Sequence, residues 1–457
     1  MKAGLQVLKR ALALLSERER KKLYGLSIAV VGMSFMELFG VVSILPFMNV
    51  ATNPEVIHSN DYLSWTFETF NFRSENRFLL ALGSFALFAM VVGNIFRAFS
   101  RFLLLRFAHM QNHHLGKRVL KTYLYRPYEY FLSQNSSDLS KTVLSEVGQF
   151  VGNFFVPVLR GFGRFCAASF IVLMLVVVDP TVAFVMGLIF GGSYFAIYKF
   201  LRRKITSLGE RRLKANQSRF CLVNEASGGI KEVKLMNRED AYLREFDSPS
   251  LQFAQVQAHN AILGGLPKYL LEIVAFGGIL SLVLYFIATQ GQSTAISLTA
   301  LYALAGYKLL PALQEVFNSL TKVRFSLPVL KLIEKSLEKE NDIPETREEK
   351  FKLIHFNQEI QLKNISFKYP GASEHVLQNI SFSISNKNTV GIVGPTGSGK
   401  TTLVDIILGL LRPQNGEIFI DGEKLSKENL SSWQSQIGYV PQAIYLSDKT
   451  IKENIAF

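Results

Sequence analysis

Residues Gly394, Pro395, Thr396, Gly397, Ser398, Gly399, Lys400, Thr401 and Thr402 form a glycine-rich run that ends in a lysine and two hydroxyls. Chemistry with phosphate follows from those types at that spacing. Glycines let the backbone wrap closely, so its N–H groups point at phosphate oxygens, and a helix starting at the lysine adds partial positive charge. Lys400 is then placed to hold β- and γ-phosphates, and Thr401 to offer its hydroxyl to Mg²⁺. The flanks have the order this chemistry needs. Val390-Gly391-Ile392-Val393 reads as a buried strand, and Leu403 to Leu411 as an apolar helix. A strand, loop and helix in that order predict a site for ATP with Mg²⁺.

A second set of residues has unusual positions. Arg97, Lys268 and Lys308 lie within or at the ends of apolar stretches, where a cation is expensive unless something compensates it. Counting at about 1.5 Å per residue from the outer ends of their stretches puts them roughly 30, 30 and 20 Å deep. Arg101, Arg160 and Arg164 reach similar depths, so these residues can form a basic belt suited to a diphosphate headgroup. The plainer alternative has these side chains snorkel to lipid phosphates or pair with Glu37, Glu272 and Glu315.

The elements that position both sets follow from composition. Of 457 residues, 49% are hydrophobic and only 19% charged, which is too apolar for an ordinary soluble chain. Six runs are long enough to cross about 30 Å of hydrocarbon. They lie near 23–50, 78–108, 148–178, 181–200, 269–288 and 296–318, with Asp179 and Pro180 forming a tight turn between two of them. Lys and Arg concentrate before the first run, after the second and after the fourth, which orients both termini to the cytoplasm of a multi-pass inner-membrane protein. The formal charge of +14 belongs to this asymmetry and not to an isolated basic domain, so no nucleic-acid partner is expected. Nothing resembles a cleavable signal peptide, and the separated Cys166 and Cys221 predict no disulfide.

Helix-forming composition at about 109–147 and 201–268 predicts helices that run well past the membrane. Leu5, Leu8, Leu12 and Leu15 make an amphipathic elbow over residues 1–22, and Ser16 to Glu19 has capping-box spacing at the start of the first long helix. The six-helix domain covers 23–332, a charged linker with Pro344 covers 333–352, and residues 353–457 read as a soluble α/β unit. Its expected strands are Glu359 to Phe367, Ile380 to Ile384, Val390 to Val393 and Glu417 to Ile420. An external connection with Tyr62, Leu63, Trp65, Phe67 and Phe70 reads as an interfacial helix, able to touch a polyprenyl tail or simply anchor the chain.

With the phosphate loop behind six apolar runs, the sequence resembles the ABC exporter family, in the half-transporter arrangement. That resemblance implies an all-α six-helix membrane domain followed by a partial α/β P-loop ATPase domain. It implies that Tyr369, in Phe367-Lys368-Tyr369-Pro370-Gly371, stacks on adenine. It also implies that Gln442, in Tyr439-Val440-Pro441-Gln442, contacts Mg²⁺ and the attacking water. The family's signature sequence, catalytic glutamate and switch histidine are expected beyond Phe457, so this chain alone is expected not to hydrolyse ATP. Two nucleotides sandwiched between two such domains imply a homodimer, or a heterodimer with a second half-transporter. Turns near Tyr125 to Ser140 and Gly229 to Asn237 are expected to dock on the ATPase domains.

Within the family, the sequence is most similar to the lipid-linked oligosaccharide flippase of bacterial protein glycosylation. The similarity rests on Met36-Glu37, Ile95 to Ala98, Leu266 to Glu272 and Tyr307 to Pro311. It implies membrane-lipid partners and a polyprenyl-diphosphate-linked oligosaccharide as cargo, with Lys at two of three basic positions where Arg is expected. Alternatives are an exporter of drugs, peptides or other lipids, whose cavity would be apolar and aromatic, and a nonhydrolytic ATP-binding membrane regulator.

Overall fold

The computed structural model describes residues 2–455, apart from 133, 179, 291, 339, 341–353, 443 and 445. It has two compact units. One holds Met1–Leu124 with Asn135–Glu340, and the other Tyr125–Gln134 with Asn341–Phe457.

The first unit is helical. An elbow helix α1 (Lys2–Ala13) leads into α2 (Glu17–Val42). The predicted capping box sits at that junction. The Ser16 N–H donates to Glu19 Oε2 at 2.8 Å, and the Glu19 N–H to Ser16 Oγ at 3.4 Å. The single run expected over 23–50 is interrupted at Ser43, where α3 (Ile44–Thr52) begins. Pro46 explains the break, because it has no N–H to offer the carbonyl of Val42. The short helix α4 (Asp61–Thr69), on the connection expected to be interfacial, is capped by Asn60, whose side chain accepts from the N–H groups of Tyr62 and Leu63. Phe67 and Leu63 pack onto buried Val50, Ile57 and Phe78, while Tyr62, Trp65 and Phe70 stay exposed.

Three long helices dominate the unit. They are α5 (Glu75–Leu124), 50 residues, and, after the short α6 (Tyr128–Leu132) and α7 (Val156–Val178), α8 (Pro180–Gly228), 49 residues. After α9 (Ile230–Leu235) comes α10 (Glu239–Gln290), with 52 residues. At 1.5 Å per residue each is roughly 75 Å long, more than twice a hydrocarbon core. Helices α11 (Gln292–Phe325) and α12 (Leu327–Leu337) complete the unit. All six predicted runs fall on helices. By length and composition, two of the described helices qualify as membrane spans, Glu75–Leu124 and Ser137–Val177. Asp179, half of the predicted turn, lies outside the described residues, but Pro180 opens α8 at the position that tolerates a missing N–H. α8 packs along α10, α7 along α11, and α2 against both α5 and α7.

The stretch before α7 carries two π-helical turns, Lys141–Glu146 and Val151–Phe155. Each extra residue in a helical turn rotates the downstream face by about 100°. Glu146, at the end of the first, is fully buried. It accepts from Arg212 Nη1 and from Asn216 Nδ2, the latter at 2.8 Å, both on α8. The Arg212 guanidinium also lies 5.6 Å from the Phe253 ring centre on α10. One buried ion pair thus pins three helices.

In the second unit β1 (Glu359–Phe367) lies between β2 (Leu377–Ser385) and β3 (Asn415–Ile420), and β4 (Glu423–Lys424) extends the sheet in the order β2-β1-β3-β4. All of these pairings are antiparallel. Alternation along β1 buries Ile360, Leu362, Ile365 and Phe367 beneath α13 (Lys400–Ile407), where Ile406 is fully buried. The predicted helix to Leu411 stops at Ile407 because Gly409, at φ +69°, turns the chain left-handed. The Leu410 N–H then reaches the Asp405 carbonyl at 2.9 Å, and the Gly409 N–H that of Ile406 at 3.0 Å, a Schellman cap.

Val390 to Val393 is not a strand. These residues pair with no strand among the described residues, and Val393 is 93% exposed. Apolar content suggested a buried strand, but a strand exists only where a neighbouring ladder satisfies its backbone.

Asp421 and Gly422, both at positive φ, form the two-residue turn between β3 and β4. The Asp421 carboxylate accepts from the N–H groups of Asn357, Gln358 and Glu359 at 2.5–2.8 Å, fixing the chain as it enters β1. Those donors, Asn357 foremost, hold this carboxyl below the usual range. Its contribution to stability is therefore complete above the ordinary Asp value of about 3.9 and is lost as pH falls through and below it. Thermal unfolding of the full-length protein from pH 7 to pH 3 is expected to show Asp421→Asn less stable at pH 7. The difference from wild type should shrink below about pH 4.

Arg212→Met, which leaves Glu146 buried without its counter-charge, should cost about 3–5 kcal/mol. Glu146→Leu combined with Arg212→Met should recover most of that loss in the melting temperature of detergent-purified protein.

Candidate functional site

The phosphate loop belongs to the sheet unit. Gly397 and Gly399 sit at φ +84° and +86°, in the left-handed region that favours glycine. A Cβ on Gly399 would come within 2.9 Å of Leu377 Cδ2 and 3.1 Å of the Val376 carbonyl, so only glycine passes there without displacement. α13 starts at Lys400, which places Lys400, Thr401 and Thr402 in its first turn with that turn's unpaired N–H groups. The Lys400 ammonium donates to the carbonyls of Gly394 at 2.9 Å and Pro395 at 2.8 Å, closing over the loop. Thr401 is exposed. Thr402 is buried, its Oγ1 2.9 Å from the Tyr369 hydroxyl.

Tyr369 therefore stands beside the loop. Its half-buried ring packs on the core, edge-on to Phe367 at 5.0 Å. Gln442 is exposed on the segment after Tyr439 and Val440. Asp405, on α13 one turn beyond Thr401, is 9% exposed, and burial raises its carboxyl above the usual range.

α6 belongs to this unit. Glu129 Oε1 accepts the Arg412 N–H at 3.4 Å, and burial together with nearby Asp405, Tyr369 and Tyr439 raises the Tyr128 hydroxyl. Of the turn expected at Tyr125 to Ser140, residues 125–134 fold with residues 341–457 and Ser137 is buried in the other unit. In and around α9, Ile230, Leu235 and Met236 are exposed.

The helical unit holds the second constellation. A cavity of about 510 Å³ is lined by Arg97 and Arg101 of α5, Arg160 and Arg164 of α7, and Lys268 of α10. Each pair is spaced i, i+4, so both members face the same way. Five cations meet one carboxylate in that lining, Glu315 of α11. Lys268 pairs with Glu272, outside that lining, at 3.8 Å, and Arg97 donates to Asn94. Lys308 lies on α11, but its side chain and that of Glu37 lie outside the described residues.

Gln314 and Asn318 line the same cavity and were not singled out from sequence. Pro311, Gln314, Glu315 and Asn318 recur at helical spacing in an apolar run, and that was the legible signal. Pro311 and Pro267 also lie inside α11 and α10, where each leaves a carbonyl one turn earlier without its helical donor.

Lys400→Ala removes the ammonium that would grip β- and γ-phosphates, where charge-assisted contacts are worth about 1.5–3 kcal/mol each. In the full-length protein it should weaken ATP binding by at least about 100-fold while membrane insertion is unchanged, as read by nucleotide titration of membrane-extracted protein.

Two family models match the chain. Residues 23–290 match the ABC transporter transmembrane region, and residues 377–456 match the ABC transporter family. An ABC transporter ATP-binding protein of Bacillus subtilis, YknU, is 26% identical over 72% of this chain and 56% of its own length. An ATP-dependent lipid A-core flippase of Cupriavidus metallidurans is 25% identical over 62% of this chain and 46% of its own. The chain thus spans about half the length of these curated relatives. A solved bacterial Atm1-family ABC exporter with ATP bound shares the fold, with a TM-score of 0.71 at 15% identity over 96% of this chain and 74% of that one. With more than half of its residues matched to the transmembrane region and the phosphate loop inside the second match, the chain belongs to the ABC transporter family.

Proposed function

We propose that the full-length protein is an ATP-driven flippase whose cargo is a lipid with a diphosphate headgroup, such as a polyprenyl-diphosphate-linked oligosaccharide of a bacterial inner membrane. The observation that carries this reading is the convergence of Arg97, Arg101, Arg160, Arg164 and Lys268 on one cavity with a single carboxylate in its lining. Cations gathered among apolar helices need an anion, and a diphosphate supplies enough charge for several of them. A drug or peptide exporter has no such need. Relatives named as lipid A-core flippases give a lipid cargo precedent at about 25% identity.

In this reading ATP lies on the loop from Gly394 to Thr402, with Lys400 on the terminal phosphates. Thr401 and Gln442 bind the Mg²⁺ that accompanies the phosphates, and Tyr369 lies toward the base. The fit rests on the left-handed glycines, the helix start at Lys400 and the exposed Thr401 hydroxyl. The working assembly is a homodimer, or a heterodimer with a second half-transporter, with both termini cytoplasmic as the Lys and Arg asymmetry favours. ATP closes the pair, and the headgroup leaves the cations for the outer leaflet.

The test uses full-length protein in liposomes. Lys268→Gln with Lys308→Gln should abolish flipping of a lipid-linked glycan while basal ATPase activity persists. Undiminished flipping would remove the basic cavity from the mechanism.

A further inference from the structure

A second cavity, separate from the basic one, opens on another side of the helical unit. About 530 Å³ in volume, it is walled by one face of α7 (Pro157, Val158, Gly161, Phe162) and one face of α11. The elbow helix covers part of it through Val7 and Leu8. The wall on α11 runs Val316, Ser319, Leu320, Val323, Arg324, all at i, i+3, i+4 spacing, so a single helical stripe passes from apolar to cationic. Phe162 and Leu320 are 42% and 43% exposed, so the slot opens outward.

Arg324 also lines an adjoining pocket with Arg202, Arg203 and Glu210 of α8. Three cations face one carboxylate there. Among the described residues the recorded partner of the Arg324 side chain is neutral, the Tyr198 hydroxyl at 2.8 Å, and Arg202 and Arg203 have no ion-pair partner. Within the apolar wall, five residues before Arg324, lies Ser319, 5% exposed, whose hydroxyl has no hydrogen-bond partner among the described residues. A buried hydroxyl left unpaired is costly. The volume falls within the roughly 300–1,000 Å³ of small-ligand sites.

We propose that this slot is a binding site for a single acidic glycerophospholipid, with its headgroup phosphate on Arg324, Arg202 and Arg203, an ester carbonyl on Ser319, and one acyl chain along α7 and α11. The order of chemistry along the stripe matches the order along such a lipid. Arg202 and Arg203 follow the fourth apolar run and Arg324 follows the sixth, both at the inner ends of their runs, where headgroups lie. Lipid fills any groove at hydrocarbon depth. What makes this groove selective is the excess of positive charge at its mouth and the unpaired hydroxyl behind it. The bound lipid would brace the elbow helix, whose Leu8 shares the slot and whose Arg10 pairs with Glu334 on α12. This proposal is independent of the cargo assigned above, because none of these residues lines the basic cavity.

Native mass spectrometry of the full-length protein, titrated with phosphatidylglycerol and separately with phosphatidylcholine, reads the site directly. Wild type should bind the first one lipid per subunit at about tenfold or more higher affinity. Arg324→Gln, and the exposed pair Arg202→Gln with Arg203→Gln, should each remove most of that preference. Leu320→Trp, which fills the slot and leaves every charge in place, should weaken binding by about tenfold. Equal affinity for the two lipids in wild type would overturn the proposal. Unchanged phosphatidylglycerol binding by Leu320→Trp would reduce the site to surface attraction and overturn it too. A shift in oligomeric state without a change in lipid binding would instead put a second copy of the chain on this face. Displacement of phosphatidylglycerol by polyprenyl diphosphate at comparable affinity would make it a cargo site.

Discussion

A charge withdrawn from water has to meet an opposite charge or a ligand, and this constraint shapes the helical unit at both depths where it carries ions. Beyond the apolar runs the requirement is met internally. Glu146 is sealed from solvent with Arg212 and Asn216, and three helices are locked in register around one carboxylate. Within the apolar part it is not met from the lining alone, since five cations share Glu315. One site is complete and stiffens the protein. The other has an excess of positive charge in its lining, which in the proposed function a lipid phosphate would offset. The same unit therefore contains a fixed joint and a receptive cavity built from the same residue types, distinguished by whether the charges balance.

The sequence was most legible where chemistry depends on local order. The phosphate loop, the capping box at Ser16 and Glu19 and the span of β1 all depend on neighbours within a few residues, and the structure has each where expected. The six apolar runs were legible because hydrocarbon thickness sets their length. The interruption at Ser43 was missed because Pro46 sits inside an otherwise continuous apolar stretch, and apolarity was counted over backbone donors. Val390 to Val393 was misread for the opposite reason. Its composition fits a buried strand, but a strand is defined by a partner, and composition carries no information about partners. The π-helical turns before α7 left no readable trace, since one extra residue per turn changes which face a side chain occupies without changing which residues are present.

For the site the division is similar. The loop and the helix start at Lys400 were readable from type and spacing, and so was the presence of the cations. Their convergence was only partly readable. Depth along separate helices placed Arg97 and Lys268 at similar heights, but height does not say which way a side chain points. Rotation about each helix axis is set by packing of α5, α7, α10 and α11 against one another. Gln314 and Asn318 belong to the same cavity for that reason, and as neutral residues in an apolar run they carry no charge signal.

The short helix α6 has a consequence in time. It is flanked in sequence by α5 and by the helical run from Ser136, yet it folds with residues 341–457, and its Glu129 reaches an N–H 283 residues further along the chain. At ribosomal rates of about 5–20 residues per second, Arg412 is made roughly 15–60 s after Glu129. Throughout that interval α6 is made while the later part of its unit is not. Completion of that unit is therefore also the event that gives α6 its partner, and a pause in synthesis between residues 132 and 412 prolongs the window in which a chaperone or a protease meets this helix first.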